Sequence, residues 1–272
     1  MAAYLLTYLA IVGSVVLAVA VTVVVRRWLP ARIADDFAAI GPSAATFGVL
    51  YSVILASTVV ASWNRYEAAN QLVLDEENAL FNLVRLADAF PTADRALVRQ
   101  RVADYGHAVV DTEWPAMARR DAPSPQAAAA IAGLYDVYAR FDDPAVRADP
   151  AFAASLDALN QLDNARGGRL LQSDRSLPSG LWVALISGGM ILLFFTFLLG
   201  TASRISHASI AAALVGFTAL LLILIHDLDT PFQEPVAVSP AALVRGLTLL
   251  DREDPVASPA AAAATPLASA GP

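Results

Sequence analysis

The sequence predicts an all-α integral membrane protein with four transmembrane helices and a large helical extramembrane block between the second and third. Three observations carry this expectation. The chain is 57% hydrophobic and only 16% charged, with a mean hydropathy of +0.55, whereas a soluble domain is normally about a quarter charged. Four apolar runs are each long enough to cross a hydrocarbon core of roughly 30 Å. The one long hydrophilic stretch, residues 64–178, repeats its apolar residues at a helical period and has no strand-like alternation.

Composition also excludes several function classes. There is no cysteine, so disulfides, thiol chemistry and cysteine metal sites are absent. All 18 basic residues are arginine, which with the abundant alanine reads as the coding bias of a GC-rich bacterium. A net charge of -7 argues against a nucleic-acid partner. His107, His207 and His226 are too dispersed for a metal set. No phosphate loop, HExxH or nucleophile elbow occurs, so no cofactor and no enzymatic activity are expected.

Residues 1–63 form a first membrane hairpin. Its opening span, Tyr4 to Val25, has Tyr4 and Tyr8 near one end and Arg26, Arg27 and Trp28 closing the other. A cleaved signal peptide would need basic residues before the apolar run and a shorter run. Residues 28–43, punctuated by Pro30, Gly41 and Pro42, read as a linker. The second span runs from Ala44 to Ser62 without an ionisable side chain, then meets Trp63, Asn64, Tyr66 and Glu67, an interface cluster with rings at headgroup level. Ala44, Gly48, Ser52 and Ala56 line one face, at a spacing that admits a second backbone. The neighbouring stripe is Ala45, Val49, Val53 and Ser57. It either packs like the first or lines a constriction.

The block at 64–178 is acidic overall, its carboxylates outnumbering its arginines. The second membrane helix is expected to continue into it unbroken and stop before Pro91. A next helix, with Thr92 or Asp94 as cap, should run to about Ala118 and kink or end at Pro115. Further helices follow Pro125 and span about Pro150 to Ser176. Asp75, Glu76 and Glu77 are three consecutive acids just beyond the membrane, either a solvated face or, in a ring of subunits, a cation-attracting vestibule.

Residues 179–226 form the second hairpin, with spans at about Leu181–Leu199 and Ser206–Ile225. Gly188 and Gly189, mid-span, read as a close-packing point. Asp227 and Asp229 fall at the membrane boundary as an ion site or a structural pair with Arg65 or Arg175. Residues 227–254 are juxtamembrane and include an amphipathic helix that Ser239 caps and Pro240 opens. Residues 255–272, rich in Ala and Pro, read as a disordered tail. Four spans put both termini and the central block on one side, but arginines flank both sides of the spans nearly equally, so charge leaves the orientation open.

Three stretches in this order, FGVLYSVILASTVVASWNRYEAANQLVLDEENALFNL, RGGRLLQSDRSLPSGLWVALISGG and DLDTPFQEPVAVSPAAL, resemble the bestrophin-like group of bacterial four-span membrane proteins, otherwise filed as a domain of unknown function. The run ending in Trp63, Asn64, Tyr66 and Glu67 is similar to the second helix of true bestrophins, which are pentameric ion channels, mostly for anions. The resemblance implies a homo-oligomer, a pentamer by analogy, in the bacterial plasma membrane, with inorganic ions and the lipid bilayer as partners and a cytoplasmic central block. It also implies that the pore neck falls on Ala45, Val49 and Val53, smaller than the apolar neck residues of the family. The acidic calcium-binding run of bestrophins has no counterpart: Asp142 and Asp143 stand alone before Pro144. The two functions this leaves are an ion channel lined by the second helix, and a non-channel module whose helical block docks a cytoplasmic partner or senses the envelope. Burial of the Val49 and Val53 face within one subunit would favour the second.

Overall fold

The computed structural model describes residues 37–198 and 204–253, with Leu9, Gly13, Val16 and Ala20 as isolated positions before them. The expected first span at Tyr4–Val25, the turn around Gly200 and the tail beyond residue 254 lie outside the described residues. Among the described residues the structure is helical, with no strand. The helices are α1 (Phe37–Leu86), α2 (Thr92–Ala108), α3 (Trp114–Arg119), α4 (Pro125–Ala139), α5 (Pro144–Ala148), α6 (Pro150–Asp174), α7 (Ser179–Leu198), α8 (Arg204–Asp229) and α9 (Ala241–Glu253). Three are long and apolar enough to cross a membrane, over Gly41–Ala89, Ser179–Thr196 and Ile205–Asp229. The chain divides into two compact units, one within residues 1–66 and 176–236, the other within 67–175 and 237–272.

In the first unit α1 begins at Phe37, so Gly41 and Pro42 lie inside the helix and the expected linker to residue 43 is shorter. The inward face of α1 is Ala44, Tyr51, Leu55, Thr58 and Ser62. The small-residue stripe is therefore not the packing face as a whole: Ala44 is buried and Gly48 approaches Leu192, but Ser52 and Ala56 are exposed. The close approach is made instead on α7. The Tyr51 ring lies against Gly188 and Gly189, and its hydroxyl donates to the Leu185 carbonyl at 3.0 Å. Tyr51, Leu55, Leu177, Leu185 and Ile225 form the core of this unit.

A Cβ on Gly188 would stand 2.5 Å from a Tyr51 ring carbon. Gly188→Ala is accordingly expected to cost about 1–3 kcal/mol, the usual range for overpacking. A thermal melt of the detergent-purified protein checks this, and Tyr51→Leu in the same chain should restore most of the loss.

In the second unit α1 ends in a short tight turn, Ala87–Ala89, before Pro91. No side chain caps α2, contrary to the expectation for Thr92 or Asp94. Pro115 does not end the helical run, which continues to Arg119. A wide π turn, Val109–Glu113, precedes it, with the Trp114 N–H donating to Val109 O five residues back. A proline ring clashes with the carbonyl four residues upstream in α geometry, and the wide turn relieves that clash. Ser124, Asp143 and Asp149 each cap a helix whose first residue is proline. Asp143 is thereby committed to the Ala145 N–H at 2.8 Å and opens a short helix the sequence reading did not anticipate. Phe90, Tyr138, Phe141 and Phe152 form one aromatic cluster. Helix α9, started by Ser239, lays Leu247 over Gly106 and presents Gly246 to Phe81.

Candidate functional site

Ala45, Val49, Val53 and Ser57 all lie on the exposed side of α1, with Val49 at 63% and Val53 at 61% relative exposure. This follows from the helical period: Tyr51 and Leu55 take the inward direction, and the stripe offset from them is left outside. The hydroxyls on this side are turned back onto the helix. Ser52 donates to Val49 O at 2.8 Å and Ser57 to Ile54 O at 2.9 Å. Their protons are thus used locally, and what the stripe presents outward is apolar with hydroxyl lone pairs.

At the end of the membrane run Trp63 and Asn64 are exposed, Tyr66 is half-buried and Glu67 exposed. The Trp63 and Tyr66 rings stand 6.1 Å apart. Between them Arg65 turns inward and pairs with Asp229 at 2.7 Å. Asp229 is 3% exposed and also accepts from the Leu177 N–H with both oxygens, at 3.0 and 2.9 Å. It therefore fastens the end of α8 to α1 and to the segment that leads into α7. The boundary acid is a structural pair with Arg65. Asp227, two residues away, is only half-buried.

The three consecutive acids separate. Asp75 is exposed and accepts from Gln71 at 2.9 Å, Glu77 is half-buried, and Glu76 is fully buried. Glu76 thus belongs neither to a solvated face nor to a vestibule, the two readings that the sequence offered for all three. A helix places adjacent residues about 100° apart, so three in a row cannot share one face. Glu76 receives Arg169 through two hydrogen bonds, at 2.5 and 2.9 Å, and the Tyr105 hydroxyl at 2.6 Å. Arg169 also reaches Glu113 at 2.8 Å, and Arg166 grips Glu113 with two nitrogens at 3.2 and 2.6 Å. The Trp114 ring lies 5.2 Å from the Arg169 guanidinium. Two arginines face two carboxylates, so the cluster is neutral as a whole.

Burial works against the charge of Arg169, but Glu76, with Tyr105 and Glu113, holds its pKa above the ordinary arginine value. Burial first, then the Glu76 charge, raises the Tyr105 phenol well above its usual range. Tyr105 therefore stays a proton donor to Glu76. Among the described residues no group of three or more His, Cys, Asp or Glu is placed to hold a metal ion.

Apolar membrane-length helices and a second helical unit built around a neutral, buried ion-pair cluster define a helical membrane protein. The Bestrophin-like domain model matches residues 12–243, and the chain belongs to that family. A bacterial bestrophin homologue from Klebsiella pneumoniae carrying an isoleucine-to-threonine substitution is similar in structure, with a TM-score of 0.69 at 15% identity over 88% of this chain and 98% of that chain. The homologue from the same organism solved by zinc phasing gives 0.65 at 15% identity, covering 89% and 96%. A membrane protein with a glycine-to-alanine substitution gives 0.68 at 16% identity, covering 89% and 96%. At such identities the likeness is one of fold. No curated protein matches the sequence.

Proposed function

We propose that the protein is the subunit of a homo-oligomeric ion channel in which α1 lines the pore. The observation that carries this reading is the exposure of Val49 and Val53 on a membrane helix whose opposite side is closed by Tyr51 and Leu55. The narrow stripe of Ala45, Val49, Val53 and Ser57 fits a constriction shared between copies, and membership of the Bestrophin-like family supports the same assignment. Hydrated ions pass the weakly polar neck, and Asp75 and Glu77, farther along the same helix, supply acidic charge for cations. A pentamer in the bacterial plasma membrane, with the termini and helical unit cytoplasmic, completes the proposal.

Ion flux through liposomes holding the purified chain tests it, with chloride and potassium gradients compared. Wild-type protein is expected to conduct, and Val53→Glu to move the permeability ratio toward potassium by about tenfold, since a carboxylate near a narrow path contributes on the order of 1 kcal/mol or more per charge. Absence of flux from folded, oligomeric protein overturns the channel and leaves the helical unit as a docking module.

A further inference from the structure

A cavity of about 490 Å³ in the extramembrane unit takes no part in the features described above. Met117, Arg120 and Asp121, at the end of α3, form one wall, and Leu170, Ser173 and Asp174, on the last turns of α6, form the other. The volume is that of a small-molecule site, which runs from roughly 300 to 1,000 Å³. Its lining combines a cation, carboxylates and apolar surface.

Arg120 closes α3 in the left-handed conformation, at φ 56°, with its N–H on Met117 O and the Asp121 N–H on Ala116 O. Glycine is the usual residue there because a Cβ is disfavoured. An arginine held in that conformation points to a use for its side chain. Arg119 pairs with Asp121 at 2.7 Å. Among the described residues no ion pair engages Arg120 or Asp174, and both are exposed. The cavity thus offers one guanidinium and one carboxylate beside Leu170 and Met117. Asp174 ends α6, and the membrane-length α7 begins at Ser179. Only residues 175–178 separate this wall in sequence from a membrane-length helix.

We propose that the cavity binds the headgroup of a zwitterionic phospholipid of the ethanolamine class. Arg120 takes the phosphate through its planar fork, Asp174 takes the ammonium, and Leu170 and Met117 receive the glycerol and first acyl carbons. A purely anionic lipid would set its charge beside Asp121 and Asp174, which selects against it.

Native mass spectrometry of the full chain in detergent tests this with three probes: dihexanoyl phosphatidylethanolamine, dihexanoyl phosphatidylglycerol and free glycerophosphoethanolamine. The ethanolamine lipid is expected to bind about tenfold more tightly than either of the others. Arg120→Gly, which suits the left-handed position, should lower that affinity about tenfold while the melting temperature holds or rises. Asp174→Asn should remove the preference over the glycerol lipid. Equal binding of the two lipids, an unchanged affinity in Arg120→Gly, or free glycerophosphoethanolamine binding as tightly as the lipid overturns the proposal, the last assigning the site to a soluble zwitterion.

Discussion

Arg169→Met is expected to destabilise the second unit by about 3–5 kcal/mol, the cost of leaving buried carboxylates without their cation. Glu76 and Glu113 are both fully buried, and Arg169 is the group that touches each of them. Methionine nearly replaces the volume, so the loss is electrostatic and leaves no large cavity. Glu113 retains Arg166, but Glu76 keeps only the Tyr105 hydroxyl. Denaturant unfolding followed by circular dichroism measures the effect. The double variant Glu76→Leu with Arg169→Met removes charge in opposite pairs and should recover most of the stability, as apolar replacements of buried ion pairs often do. A single variant within about 1 kcal/mol of wild type would show that water reaches the cluster and screens it.

Asp229→Ala should be the most damaging substitution in the membrane unit, at about 2–4 kcal/mol. It strips the counter-charge from Arg65 and the acceptor from the buried Leu177 N–H together. Asp229→Asn should fall between, because an amide oxygen still accepts from Leu177 but no longer balances a guanidinium. Thermal melts rank the three proteins, and faster exchange of the Leu177 amide proton marks the site of the loss. Unchanged exchange in Asp229→Ala would mean that the carboxylate does not fasten that backbone.

Much of this architecture was legible in the residues. Uncharged runs bounded by Trp and Arg announced the membrane helices at Ser179 and Arg204, and Pro125 and Pro150 marked the starts of two helices in the second unit, while the same proline signal at Pro144 went unread. The exposed stripe on α1 could be located from its spacing, because helical period alone fixes which residues share a side. The ion pair of Asp229 was half visible: two arginines qualified by position, and only the fold selects Arg65.

The buried cluster went unread, although a signal for it exists. Glu76 falls on the inward series Ala69, Val73, Leu80 and Leu83, and Arg166 and Arg169 fall on the series Ala158, Leu159, Leu162 and Ala165. Charges on an apolar stripe mark a buried pair. Reading the acids as a run of three hid this, since adjacency in sequence outweighed phase on the helix. Glu113 was less accessible still, because the wide turn before Pro115 changes the phase and no regular period extends through it.

That wide turn has a consequence for changes of length. A π turn is an α-helix with one residue too many, so excising a single residue between Val109 and Glu113 would let the helix run on with a regular ladder up to Pro115. Trp114, which stacks on Arg169, and Met117, whose sulfur receives its N–H, would keep their direction, because the surplus residue is absorbed within the turn. What would return is the clash of the Pro115 ring with the carbonyl four residues upstream. The surplus residue acts as a spacer that lets a proline sit inside a helical run, so a change of length there is felt at Pro115 and not at the guanidinium.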